Sequence, residues 1–307
     1  MPANDGLAHV SSDFTSPPTA YMPTVGVMST VAEQGTALPA SPPVRIDLVD
    51  SEPEARKAVR VLAQIWPQPD GHDPVVPELA WVFAHTGNYV AVASAGDTVV
   101  ASAIAFRGLD AAGPYLHSHI AGVLPSRQGS NIGFALKQHQ REWALANGLD
   151  RIVWTFDPLV ARNAYFNVTK LGARLTGYHV NFYGEMNDGI NDGDETDRCV
   201  ATWDLVADRA TAAAGGEHAT VDIDALRAAG AAVALEVGAN GEPVLGNRGY
   251  DGPALIQVPA DIVELRAQDP ELGRRWRRAL RDELPAAFAA GLSVTGVSRD
   301  SWYVLGR

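Results

Sequence analysis

The stretch that most constrains the fold of this chain is Val123-Leu124-Pro125-Ser126-Arg127-Gln128-Gly129-Ser130-Asn131-Ile132-Gly133-Phe134-Ala135-Leu136. It leads from an apolar, strand-like run, through small and turn-forming residues, into a run with helical spacing. Such a junction leaves consecutive backbone N–H groups free at the helix start, where they and the helix dipole can receive a diphosphate. Taken alone, the Gly-x-x-x-Gly turn is equally compatible with a plain tight turn.

The flanking pattern is one of mixed α and β elements. Residues 45–49 alternate like a strand, and Asp50 or Ser51 is placed to cap a helix with Pro53 in its first turn. Val59, Leu62, Ala63 and Trp66 fall at helical spacing, and Pro67 ends the run. A short helix is predicted around Leu79–Phe83, strands at 89–94, 98–106 and 115–123, and a helix over 131–147 ending at Gly148. A strand at 151–156, a helix over 160–171, and strands at 174–183 and 198–205 complete the unit. Residues 1–43 are rich in Pro, Ser, Thr, Ala and Gly without period, which predicts a disordered N-terminal tail. Residues 207–218 read as an Ala/Gly-rich linker. Residues 219–307 read as a small C-terminal α+β unit of unknown role, with the turn Asn240-Gly241, a strand at 254–258, a basic helix over 271–290 after Pro270, and strands at 292–298 and 302–305.

Composition excludes several classes of function. Net charge is −12, from 24 basic and 36 acidic residues. A broad nucleic-acid face needs clustered Lys and Arg, so no nucleic-acid partner is expected. Cys199 is the single cysteine, which excludes an intrachain disulfide and a multi-cysteine zinc site. The acidic loop at 188–197 lacks the ligand order of a calcium hand, so no metal is expected. No run of about 18 apolar residues and no secretory leader is evident. A cytoplasmic location without membrane association is the expectation.

The residues Val123-x-Pro125 and Gln128-x-x-Asn131-x-Gly133 resemble the diphosphate loop of the GNAT superfamily of acyl-CoA N-acyltransferases, and the element order from 44 to 206 resembles it as well. Asn131 stands where the family usually has Gly, and Asn tolerates the left-handed backbone better than most residues. The resemblance implies an α+β GNAT fold, with a mixed, splayed central sheet flanked by helices. It implies acetyl-CoA or another acyl-CoA as cosubstrate. Ala121 and Val123 would then pair with the pantetheine arm, and Gln128, Gly129, Ser130, Asn131, Ile132 and Gly133 would hold the diphosphate. Asn163 and Asn167 could bond the pantetheine amides, the alternative being helix capping and surface solvation. The loop 67–77 is placed to shape the acceptor pocket.

His117-Ser118-His119, Trp154-Thr155-Phe156-Asp157-Pro158, Arg162-Asn163-Ala164-Tyr165-Phe166-Asn167, Lys170-Leu171-Gly172-Ala173 and Asn181-Phe182-Tyr183-Gly184 are similar to a bacterial GNAT subgroup. Some of its members resemble D-amino-acid N-succinyltransferases. That likeness implies a small-molecule amine or amino acid as acceptor, with succinyl-CoA as an alternative donor.

Amine attack on a thioester needs the amine neutral, so a general base is useful. His117 and His119 lie two apart on one strand. Regular alternation would aim both to the same face as Ala121 and Val123. Arylalkylamine N-acetyltransferases carry a similar His-x-His, which makes the pair the candidate base; the alternative is two packed core histidines. Val168 occupies the position where the family often has an acidic Tyr, and Tyr165, one turn earlier, is the candidate substitute. Arg162, Arg198 and Asp157 are the candidate substrate-binding residues, because arginine grips carboxylates bidentately; the alternative for each arginine is a structural ion pair. Two further readings stay open: a non-catalytic acyl-CoA sensor or scaffold, and a homodimer assembled through the C-terminal unit.

Overall fold

Tyr89–Ala95 is buried along nearly its whole length, and the larger of two sheets is built around it. The computed structural model describes residues 43–68, 71–184, 194–218 and 220–307. Of the tail expected over residues 1–43, residues 1–42 lie outside the described residues, as do residues 188–193 of the acidic loop at 188–197.

In chain order the first sheet contributes Val44–Leu48 (β1), Glu52–Ile65 (α1), Pro77–His85 (α2), Tyr89–Ala95 (β2), Thr98–Asp110 (β3), Gly113–Val123 (β4), Ile132–Ala146 (α3), Arg151–Phe156 (β5), Ala161–Tyr165 (α4), Arg174–His179 (β6) and Arg198–Asp204 (β7). After Asp208–Ala214 (α5) and Ile223–Ala228 (α6), the second sheet is formed by Ala232–Val237 (β8), Pro243–Leu245 (β9) and Ala254–Gln257 (β10). The chain then passes through Ile262–Gln268 (α7) and Pro270–Ala289 (α8) to Ser293–Val297 (β11) and Trp302–Gly306 (β12). The first sheet has the order β1-β2-β3-β4-β5-β7-β6, the second β11-β12-β10-β8-β9.

The fold is mixed α+β, as expected, with helices on both faces of the first sheet. Its pairs are antiparallel except β4 with β5. That one parallel pairing covers only Leu116↔Ile152 and His117↔Val153. Beyond it the strands diverge, which is the splay expected from the resemblance. α1 begins at Ser51 with Pro53 in its first turn, and buries Ala55, Ala58, Val59 and Leu62. These pack with Val90, Val92, Ile104 and Ile120 on one face of the sheet. The opposite face meets α3 and α4 in a cluster that includes Leu116, Leu136, Trp154 and Trp203.

The helix predicted over 160–171 is α-helical only to Tyr165; Phe166–Lys170 is a π turn, closed by Leu171 N donating to Phe166 O at 2.9 Å. The strand predicted to 183 stops at His179 and turns. The segment read as a linker contains α5, which buries Ala210 and Ala213. α5 also packs against the turn at Gly172, where a Cβ would come within 2.7 Å of Arg209 O.

The second sheet is joined to the first by a continuous apolar core: Trp154, Leu171 and Ala201 belong to the same buried cluster as Leu235, Trp276, Leu284 and Tyr303. Polar contacts cross the same boundary. Thr169 Oγ1 donates to Val297 O at 2.7 Å, and Tyr303 Oη donates to Pro158 O.

Candidate active site

The strand–turn–helix junction has the open geometry anticipated from its residues. Pro125–Arg127 forms a single 3₁₀ turn, Gly129 has φ 81° and Asn131, the N-cap of α3, has φ 62°. Glycine and asparagine are the residues that accept these left-handed values at least cost. Asn131 thus supplies the conformation for which the family uses Gly. Among the described residues, the backbone N–H groups of Gly129, Ser130, Asn131, Ile132, Gly133 and Phe134 donate to no protein acceptor. Gln128 folds back, its Nε2 donating to Val123 O at 3.3 Å, and Ser130 Oγ donates to Arg127 O. Gly129, Ser130 and Asn131 are exposed. The result is a ring of outward amides at the positive end of a fifteen-residue helix.

The paired histidines sit further back on β4, with a correction to the expected geometry. In the ladder with β3, Ala103 pairs with Ala121 and Ile104 with Ile120, but Ala105 pairs with Ser118. His119 is therefore the extra residue of a β-bulge, and the alternation of side chains breaks there. His117 and His119 both lie against Phe106, with ring centroids 5.0 and 6.0 Å away, and are 6.4 Å from each other. Phe106 in turn stacks on Phe83 of α2 at 5.4 Å. Ala121 and Val123 belong to the α3 side of the sheet, whereas Ile120 belongs to the α1 side. The imidazoles and the two small residues thus do not share a face; the bulge lies between them. Beyond it, the strand passes under Trp66, where a Cβ on Gly122 would come within 2.7 Å of the indole.

Burial, and next the charge of Lys137, pull the His117 pKa down to about 4. Burial, and next His117, lower that of His119 to about 4. Both imidazoles are therefore neutral at physiological pH and able to accept a proton. His119 Nδ1 is buried with no hydrogen-bond partner among the described residues. Sequence reasoning passed over Lys137, because one Lys in an amphipathic helix reads as a surface residue. Its Nζ is buried, 2.8 Å from Ser118 Oγ and 3.0 Å from Gln140 Oε1.

The remaining candidates are distributed differently. Asn163 and Asn167 are buried rather than solvated, 7% and 1% exposed, and Asn167 Nδ2 has no partner among the described residues. Four residues apart, the two lie on the same, interior side. Tyr165 is half-buried beneath the guanidinium of Arg299, whose Cζ lies 5.4 Å from its ring.

Arg198 and Asp157 require correction as substrate contacts: Arg198 is wholly buried and Asp157 nearly so. Asp157 is gripped bidentately by Arg277 at 2.8 Å through both oxygens and by Arg266 at 3.0 Å. Burial alone would raise its pKa, but Arg277 and then Arg266 more than reverse this and hold the carboxyl well below its usual range. Arg198 Nη1 donates to Asp197 O, and its guanidinium lies over Tyr183. Arg162 alone of the three keeps access: its side chain is 25% exposed, its nearest acid is Asp261 at 4.0 Å, and its Nε is buried without a partner among the described residues.

Residues 56–170 match the model of the acetyltransferase (GNAT) family. The chain carries a GNAT acetyltransferase domain. No curated protein matches the chain. Among solved structures, a GNAT acetyltransferase from Streptococcus pneumoniae is similar to the domain at 15% identity, covering 52% of this chain and 98% of its own, with a TM-score of 0.42. The ribosomal-protein-S18-alanine N-acetyltransferase of Escherichia coli is similar at 14% identity, covering 52% and 92%, with a TM-score of 0.42. A GNAT acetyltransferase from Elizabethkingia anophelis, solved with acetyl-CoA bound, shows 17% identity over 53% and 98%, with a TM-score of 0.39. The family model spans the GNAT domain from α1 to the end of the π turn, and so includes the amide ring and both histidines. Among the described residues there is no cluster of three or more His, Cys, Asp or Glu able to hold a metal, and no helix long and apolar enough to cross a membrane.

Proposed function

We propose that the protein transfers a short acyl group, acetyl being the simplest, from acyl-CoA to the primary amine of a small molecule by direct attack in a ternary complex. The observation that carries this reading is the ring of free amides at Gly129–Phe134, lying at the open end of the β4–β5 split with the neutral histidines at the bulge. The diphosphate would bind that ring, and the pantetheine arm would run along the unpaired part of β4.

His119, or His117 through water, takes the proton of the attacking ammonium; the nitrogen then adds to the thioester carbon and gives its second proton to solvent as the amide forms, and CoA leaves as the thiol with a proton from solvent or from Tyr165, which solvent then reprotonates. Arg162, 25% exposed and held only loosely by Asp261 at 4.0 Å, suits an acceptor or acyl group bearing a carboxylate. An amino acid as acceptor, or succinyl-CoA as donor, would satisfy it. Apolar side chains of α2, among them Leu79 and Val82, are exposed beside Phe83 and would present an apolar wall to the acceptor.

The test is CoA release from acetyl-CoA and succinyl-CoA across a panel of amines and amino acids, with calorimetric titration of each donor. The expected result is turnover that His119→Ala lowers by about 10²–10⁴-fold while donor affinity is unchanged. Donor binding without turnover on any acceptor, unaffected by His119→Ala, would instead identify an acyl-CoA-binding sensor.

A further inference from the structure

Lys137 is a buried cation without a carboxylate. Its ammonium has two neutral oxygen acceptors, Ser118 Oγ and Gln140 Oε1, and lies 4.1 Å from the centroid of the Trp154 ring. A methionine or leucine would fill the same space without the cost of burying a charge, so packing alone does not account for a lysine here. Its position is specific. Ser118 lies between the two histidines and adjoins the bulge residue, and Trp154 is the first β5 residue past the point where β4 and β5 stop pairing. The ammonium therefore sits at the fork of the split, behind the imidazole pair. β4 presents His117 and His119 to the site, β5 presents Trp154, α3 presents Gln140, and β3 and α2 present Phe106 and Phe83. Among the described residues no acid contributes to the electrostatics of the lysine or of either imidazole.

We propose that Lys137 is a positioning residue for the proton-accepting pair: it takes the first proton that enters this buried site and, once charged, keeps His117 and through it His119 free to accept another. Burial brings the Lys137 pKa down to about 7, still above the imidazoles at about 4. The sign follows from like-charge repulsion, since an ammonium beside an imidazole disfavours the imidazolium. As pH falls through about 7, the proton goes to the lysine, and the histidines stay neutral well below the pH at which a free histidine is half-protonated. The catalytic meaning of this order rests on the acyl-transfer reading; the order itself does not.

The experiment is a pH titration of the full chain by NMR, with histidine and lysine labelled, on the native protein and on Lys137→Met and Lys137→Arg. In the native protein the lysine should titrate near neutrality and both histidines below about pH 5. In Lys137→Met the His117 midpoint should rise by about one pH unit with no accompanying rise at His119, and Lys137→Arg should restore the low His117 value. A native lysine that titrates below the histidines overturns the proposal without recourse to any variant. So does a His117 midpoint unchanged in a Lys137→Met protein that melts cooperatively. If acyl transfer itself is not found, the titrations still decide the proton order. If it is found, the acid limb of kcat/KM should move upward in Lys137→Met. A uniform loss at every pH, with the limb in place, also overturns the proposal.

Discussion

At the residue scale, the site is defined by what burial does to charge. A free imidazole titrates near 6.5, and His117 and His119 are held at about 4. Between those values the unfolded chain binds protons that the folded chain refuses, so stability falls as pH drops from 6.5 toward 4, at roughly 3 kcal/mol for each fully expressed depression. Lys137, lowered from 10.5 to about 7, acts in a higher window: the unfolded lysine binds a proton between 7 and 10.5 that the folded one releases, so stability rises with pH there. Urea melts at pH 4.5, 6.5, 7.5 and 9 should show both slopes, and His119→Leu should flatten the acidic one. Asp157 has the opposite character, a buried anion fully matched by two arginines. Asp157→Ala leaves two buried arginines, Arg266 and Arg277, to share the single carboxylate of Asp194 and should cost about 3 kcal/mol in a denaturant melt. A loss under 1 kcal/mol would mean that solvent reaches the pair.

At the element scale, the N-terminus of α3 allows ligand binding to be separated from folding. A carboxylate at Gly133 would favour the helix through the dipole and oppose an incoming diphosphate. Gly133→Asp should therefore weaken acyl-CoA binding more than about tenfold by calorimetry while the melting temperature holds, and unchanged affinity would move the diphosphate elsewhere. This junction was legible in the sequence because its information is local: turn residues, an asparagine that tolerates the left-handed backbone and a change of hydrophobic period within fourteen positions. The β4 bulge was not legible. An extra residue in a strand is defined only by its partner across the ladder, and His-Ser-His reads as regular alternation until Ala105 is seen to pair with Ser118. The π turn at Phe166–Lys170 was hidden for a related reason, since inserting one residue in a helix leaves composition and length unremarked.

At the scale of the whole molecule, the least legible feature was how the C-terminal unit attaches. Asp157 meets Arg266 and Arg277 across sequence separations of 109 and 120 residues, and Asp197 meets Arg281 across 84. No local pattern announces such partners; the basic face of α8 was visible, but the acidic rim it serves was not. The two sheets share a single apolar cluster, so a chain ending near residue 210 should lose cooperative melting by circular dichroism and elute as aggregate in size exclusion. A monomeric, sharply melting fragment would show that the transfer domain stands alone.

The shared cluster also sets the terms for engineering. Anyone wishing to borrow the chemistry of the amide ring and the imidazoles would need to transplant both sheets together, because a fusion joint placed between α5 and β8 would open the interior from below. Variation in the C-terminal half is correspondingly constrained, as a change at Trp276 or Tyr303 would be felt beneath β5, close to where the thioester is proposed to react.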